Sequence, residues 1–261
     1  KQKIVKNSKI INKKKQKPFF SIITVVKNDE INISKTIKSI INQTFKDFEY
    51  IIIDGKSSDK TLKKILFFKK KINFLVSEKD KGIYFAMNKG AKISNGKVIV
   101  FVNSGDLLTK NALKIIRKKF YENKDIGFIF GSVKRHYTTG VIHKHGMNQK
   151  RLLYNFDFAT SHSTGFFIKK DVFKKIGYFD TNFKISADYN LYFKMIIKKN
   201  IKGISTEKNE LIGIMKSGGY SSKIKFFDHL KEEMKIRYHN GQNLFFIALI
   251  FLNAIFKNLL K

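Results

Sequence analysis

The sequence predicts an α/β fold on a mostly parallel central sheet, and three observations carry that reading. Runs such as Ile22-Ile23-Thr24-Val25-Val26 and Tyr50-Ile51-Ile52-Ile53 are almost wholly apolar, as strands covered on both faces must be. They alternate with stretches whose apolar residues recur at helical spacing, the pattern of β-α-β units. Two of the runs end in a carboxylate, at Asp54 and in the turn Asn103-Ser104-Gly105-Asp106, at the edge where parallel sheets bind ligands.

The elements follow in order from the same signs. Residues 1–18 form a basic arm, with eight Lys in the first 17 positions, and the main domain spans 19–220. Phe19–Val26 is its first strand. Ile33, Ile37, Ile40 and Ile41 then mark one face of a helix, and Phe48–Ile53 is a second strand closing on Asp54. Ser57, Ser58 and Asp59 offer N-caps to a helix through Leu62, Ile65 and Leu66, ahead of a third strand at Ile72–Val76. A helix over 83–93 and a strand over 97–102 repeat the unit and complete a first half at 106. The half from 107 to 220 is mixed: a helix Ala112–Phe120, a strand Ile126–Phe130, a hairpin Val133–His145 turning at Thr138-Thr139-Gly140, a strand Gly165–Ile168 and a helix Asp188–Lys198. A helical tail occupies 221–261. In it Phe227, Leu230 and Met234 share one face of a basic helix, and the apolar run Leu244–Leu252 is interrupted by Asn253 and Lys257. That run is too short to span a bilayer; it suits either an interfacial helix or one buried against the domain.

With 261 residues, 43% of them hydrophobic, the chain can build a sizeable core. Its 53 Lys plus Arg against 20 Asp plus Glu give a formal charge of +33, which draws anionic partners: nucleic acid, anionic lipid or phosphorylated ligands. The excess is nearly all Lys, a bias that an AT-rich genome produces without selection for any partner. No Cys is present, so disulfides and thiolate metal sites are excluded, in keeping with a reducing cytoplasm. No secretory apolar segment follows the basic start.

A carboxylate ending a parallel strand is accessible and rigidly held, and with other oxygens it can bind a hard divalent cation. Asp106 sits in such a turn, where Gly105 permits close backbone approach; the plainer role is to cap the next helix. Asp54 either accepts a hydrogen bond from a pyrimidine N3–H or stabilises the turn Asp54-Gly55-Lys56. Asp188, in Ile185-Ser186-Ala187-Asp188-Tyr189, is an acid at a helix start, suited to general-base work or to N-capping. His143 and His145 share a strand face, as a metal pair or as part of a solvated hairpin, and the chain contains no P-loop or Gly-x-Gly-x-x-Gly motif.

Three stretches in order, "SIITVVKNDEINISKTIKSIINQTFKDFEYIIIDGKSSDKT", "SEKDKGIYFAMNKGAKISNGKVIVFVNSGD" and "ISADYNLYFKM", resemble the family 2 glycosyltransferases with the GT-A fold, in the colanic-acid-type branch that builds bacterial surface polysaccharides. The resemblance covers 19–220. It implies a Rossmann-like nucleotide half, 19–106, merged with a smaller acceptor half, 107–220. It also implies an inverting transfer from a nucleotide-sugar, of the UDP class, to a saccharide or lipid-linked acceptor on the cytoplasmic face of a membrane, with an anionic bilayer as a partner. Carried over residue by residue, Thr24 and Val26 line the nucleoside pocket, Asp54 contacts the base, Asp80 approaches the ribose or base, and Asn88 with Gly90 lies beside the donor. Asp106 matches the last acid of a D-x-D motif that would hold Mn²⁺ or Mg²⁺, with Asn103 or Ser104 in place of its first acid. Asp188 is the implied base, His162 lies on the acceptor side, and Gly218-Gly219-Tyr220-Ser221-Ser222 matches a closing loop. Two departures stand out: the missing first acid weakens the metal, and Phe85 replaces an acid that relatives often carry, which leaves the donor sugar open.

Two other readings remain at this point. A nucleic-acid-binding protein fits the charge, but its stacking platforms need exposed aromatics, and most of the 26 Phe lie in apolar runs. A relative that binds nucleotide without transferring sugar fits the missing acid.

Overall fold

Seven consecutive buried residues make β1 (Phe20–Val26) the axis of the fold. The computed structural model describes residues 17–137, 139–154, 159, 163–216 and 224–260. After β1 come α1 (Ile33–Ile41), β2 (Phe48–Asp54), α2 (Thr61–Phe67), β3 (Phe74–Ser77), α3 (Ile83–Ile93) and β4 (Val98–Phe101). Beyond residue 106 come β5 (Leu107–Leu108), α4 (Ala112–Glu122), β6 (Phe128–Phe130), β7 (Ser132–Tyr137), β8 (Gly140–Lys144), β9 (Phe166–Lys169) and α5 (Lys170–Ile176). Next are α6 (Ala187–Tyr192), β10 (Gly203–Ser205), β11 (Leu211–Lys216), α7 (Phe226–His239) and α8 (Leu244–Leu259).

Among the described residues a seven-stranded sheet runs β10-β6-β9-β4-β1-β2-β3. β1, β2, β3 and β4 are parallel, and β9 enters antiparallel between β4 and β6. Ile23, Val25, Ile51 and Ile53 face Met87 and Ala91 of α3, while Ile22, Ile52, Ile37, Ile40 and Ile116 fill the opposite layer. Close packing of α3 requires Gly90, where an added Cβ would lie 2.5 Å from the Ile23 side chain. A second sheet, β5-β11-β7-β8, stands beside the carboxyl edge, tied to it by β5 directly after the turn at 106. Phe130, Phe166 and Phe167 are all buried, so these rings build core and offer no stacking platform.

Several expectations shift. The expected 188–198 helix begins at Ala187 and changes after Tyr192 into a π turn, Phe193–Lys198. The helix after Asp106 begins only at Ala112, capped at Asn111, so Asp106 caps no helix. Asp188 is not an N-cap either: that position is Ser186, with Asp188 in the first turn. α2 is preceded by Lys60, and Asp59 meets the Thr61 N–H at 2.9 Å. α7 buries Leu230, Ile236 and Arg237, leaving Phe227 exposed. α8 buries only Ile247, while Phe245, Leu252 and Phe256 are each more than 60% exposed, so it is not an ordinary buried helix. No helix among the described residues is long and apolar enough to cross a membrane.

Candidate functional site

The loops at the carboxyl edge of the sheet are laced to one another by short polar side chains. The Ser57 hydroxyl accepts from the Asn28 N–H at 2.9 Å, and the Asn28 side chain accepts from the Ser58 N–H at 2.8 Å. Asp29 accepts from the Ser104 hydroxyl at 2.6 Å and from the Asn32 amide at 2.8 Å. Asn28 and Lys56 take positive φ, 51° and 56°, the price of turning sharply at strand ends. Exposed Lys27 and Lys56 lie at this edge, where cations favour an anionic ligand.

Asp106 sits at the centre of this lacework, only 7% exposed. It accepts from the Thr164 hydroxyl at 2.7 Å and from the Lys216 N–H at 3.3 Å, so the turn before β9 and the end of β11 converge on it. Its own carbonyl takes the Thr36 hydroxyl at 2.9 Å, and that hydroxyl accepts the Gly105 N–H at 3.0 Å. Gly105, at φ +97°, makes the turn. Burial pushes the Asp106 carboxyl up to about 6, against the two hydrogen bonds and the Arg135 charge, which hold it down.

The other expected donor residues divide by orientation. Asp80 and Asn103 each leave one oxygen buried and unpartnered, Asp80 Oδ2 and Asn103 Oδ1; the other Asp80 oxygen pairs with Lys89. Buried polar atoms without partners are uncommon and signal a missing ligand atom or water. Thr24, by contrast, is fully buried with its hydroxyl 3.0 Å from that of Tyr50, and Val26 is 7% exposed at the end of β1. Asp54 is fully buried, receiving the Ser77 hydroxyl at 2.6 Å and both the hydroxyl and N–H of Ser57. These three donors fix the carboxylate and with it the turn Asp54-Gly55-Lys56. Asn88 clamps the backbone of Phe179 from both sides, donating to its carbonyl at 2.8 Å and accepting its N–H at 3.0 Å. Ser104 is engaged by Asp29. His162 and 218–222 lie outside the described residues.

Asp188 reaches the same edge from the part of the chain after residue 106. α3 begins a short loop after the end of β3, and near its N-terminus the Tyr84 hydroxyl lies 2.8 Å from the Ile185 carbonyl and 3.1 Å from the Asp188 carboxylate, its one proton shared between them. Burial raises the Tyr84 hydroxyl well above the ordinary phenol range, and the Asp188 charge raises it further, so it remains a donor. Tyr84, Asp29 and Thr164 went unnoticed in the sequence; Tyr84 and Asp29 stand inside the motif stretches, whereas Thr164 gives no sequence signal.

The donor set fits a divalent cation held chiefly by a ligand's phosphates. Asp106 supplies one charge and Asn103 one free oxygen, and Mg²⁺ sites commonly combine one carboxylate with substrate phosphates. No group of three or more His, Cys, Asp or Glu suited to a metal exists among the described residues. His143 and His145 do not make one: His143 Nε2 lies 2.6 Å from the Ser132 hydroxyl, and the two rings are 6.0 Å apart, edge to face.

The chain is similar to known glycosyltransferases. The sequence model of the family described as Glycosyl transferase family 2 matches residues 21–179. The chain is 27% identical over 257 residues to "Uncharacterized glycosyltransferase MJ1057" of Methanocaldococcus jannaschii, covering 92% of this chain and 87% of that one. It is 32% identical over 136 residues to the UDP-Glc:α-D-GlcNAc-diphosphoundecaprenol β-1,3-glucosyltransferase WfgD of Escherichia coli, covering 52% of this chain and 53% of WfgD. The crystal structure of S. aureus TarS 1–349 in complex with UDP-GlcNAc superposes with a TM-score of 0.70 at 20% identity, over 91% of this chain and 72% of that one. That last likeness is one of fold, and the fold is GT-A.

Proposed function

The chain belongs to glycosyl transferase family 2, and on that premise we propose that it moves a sugar, with inversion, from a UDP-sugar to a saccharide or lipid-linked acceptor in surface polysaccharide synthesis. The observation that carries the reading is the Tyr84–Asp188 bond, which brings an acid of the acceptor half to the nucleotide half's ligand-binding edge.

In this reading the acceptor hydroxyl loses its proton to Asp188 as its oxygen attacks the anomeric carbon. The bond from that carbon to the diphosphate breaks in the same displacement. Tyr84, donating to Asp188 Oδ1, holds the carboxylate in place. Asp80 offers its unpartnered oxygen to the donor, while Lys27 and Lys56 supply positive charge for its phosphates. Asp106 and Asn103 would hold Mn²⁺ or Mg²⁺, which when bound offsets the charge of the departing diphosphate. Asp54, through Ser57 and Ser77, keeps the base-side loop in shape. WfgD, named for a UDP-glucose donor and a diphosphoundecaprenol-linked acceptor, and TarS, solved with UDP-GlcNAc, support the donor and acceptor classes.

The exposed apolar side chains of α8, with Phe227 on α7, support attachment to the inner face of the membrane: apolar groups insert while each nearby Lys adds about 1 kcal/mol on an anionic surface.

The test is transfer from UDP-glucose or UDP-GlcNAc to a prenyl-diphosphate-linked GlcNAc. Asp188→Asn should lose transfer at least a hundredfold while UDP affinity stays within twofold. Full transfer by that variant would remove Asp188 from the chemistry.

A further inference from the structure

We propose that Glu232 of α7 is a positioning residue for Asp188, so that the C-terminal helix completes the catalytic site. The inference rests on the reading of Asp188 as the base. Glu232 accepts three consecutive backbone N–H groups, those of Lys184 at 2.7 Å, Ile185 at 2.7 Å and Ser186 at 2.6 Å. These amides lead directly into α6, whose first N–H groups, like those of any helix, have no partner within the helix. The N-cap Ser186 makes no side-chain cap bond, and its hydroxyl is buried without a partner, so what fixes the chain entering α6 is the grip of α7 on the amides just before it. A carboxylate receiving three N–H groups is a charge-assisted clamp, stronger than neutral hydrogen bonds and more exacting in geometry.

Further bonds fasten the same two helices. The Asn240 amide donates to Asn190 Oδ1 at 2.8 Å. The fully buried Arg237 guanidinium lies 5.4 Å from the centre of the Tyr189 ring, is bound to Glu233 at 2.6 Å, and donates to the Leu153 carbonyl at 2.6 Å. The segment 184–188 is thus gripped from two sides, by Tyr84 of α3 at Ile185 and Asp188, and by Glu232 at the preceding amides. Of these grips only Glu232 acts on the backbone that aims Asp188 from the acceptor side. It lies well beyond residues 21–179, the stretch that defines the family, so the aim of the base depends on a helix outside that stretch.

The experiment compares Glu232→Gln with Asn240→Ala, which loosens the two helices without touching the 184–186 amides. With UDP-GlcNAc or UDP-glucose and the prenyl-diphosphate acceptor, Glu232→Gln should lower kcat at least tenfold, with the donor KM and the UDP dissociation constant within twofold. Asn240→Ala, at equal or greater loss of thermal stability, should keep kcat within threefold. A kcat for Glu232→Gln within twofold of the unmodified chain, or a loss matched by Asn240→Ala, overturns the proposal. If Asp188→Asn is inactive and Glu232→Gln is active, only this inference fails; if Asp188→Asn is active, the base assignment fails with it. Amide hydrogen exchange on the unmodified chain gives a check that needs no turnover or variant. The 184–186 amides should exchange as slowly as those of α6, and exchange at open-loop rates overturns the clamp.

Discussion

Replacing Asp106 with Asn should stabilise the metal-free protein at neutral pH while abolishing its activity. Asp106 is buried and its carboxyl is raised from 3.8 to about 6, chiefly by burial. The folded chain therefore binds a proton more tightly at this site than the unfolded chain does. Stability from this group is fully present below about pH 4 and is lost as pH rises through about 6. A shift of about 2 units at about 1.4 kcal/mol each places the cost of the ionised form near 3 kcal/mol at pH 7.5. Asn removes that charge and keeps the shape: its oxygen accepts the Lys216 N–H, and its amide donates to the Thr164 hydroxyl, which can turn to accept. For a domain of this size, about 3 kcal/mol raises the melting temperature on the order of 5–10 °C. The assay is thermal unfolding from pH 4 to 8 with chelator present. The gain should be largest above pH 7 and shrink below about 1 kcal/mol at pH 4. A destabilised variant at pH 7.5, or a gain that is the same at pH 4 and pH 7.5, would refute the reasoning.

Three further outcomes follow from the same structure. Tyr84→Phe removes a donor to the Asp188 carboxylate, a bond to a charged group worth about 1.5–3 kcal/mol, so kcat should fall roughly ten- to hundredfold with UDP binding retained; unchanged kcat would show that the bond does not hold the base. Gly90→Ala places a Cβ 2.5 Å from Ile23 and should cost about 1–3 kcal/mol in urea unfolding, whereas a neutral result would mean α3 is free to shift outward. The pair Phe245→Ser and Leu252→Ser, both exposed on α8, should leave the melting temperature unchanged and weaken sedimentation with vesicles rich in anionic phospholipid; equal binding by the altered chain would remove α8 from the membrane.

Much of the fold over residues 19–106 could be read from the sequence because local signals and tertiary needs coincide there. Ile22 to Val26 and Tyr50 to Ile53 are apolar on both faces because both faces are covered, and α1 and α3 have one clear buried stripe. Beyond residue 106 the elements are short or one-sided. β5 is two residues, β10 is three, and the π turn at Phe193–Lys198 breaks the 3.6-residue period, so periodicity could not find them. At the site, sequence located Asp54, Thr24 and Asn88 on the right elements but could not give their orientation. Asp54 turns to Ser57 and Ser77, Thr24 to Tyr50, and Asn88 to Phe179, partners 3 to 91 positions away. Glu232 was silent for the same reason: in the sequence it is one acid among the charges of a basic helix, and only the fold brings it to the amides before α6.

The most direct test of the donor site is calorimetric titration with UDP, against GDP, in the presence and absence of Mn²⁺. The account predicts metal-dependent UDP binding that survives in Asp188→Asn and disappears in Asp106→Ala. No binding of either nucleotide under any metal condition, or undiminished UDP binding by Asp106→Ala, would contradict it.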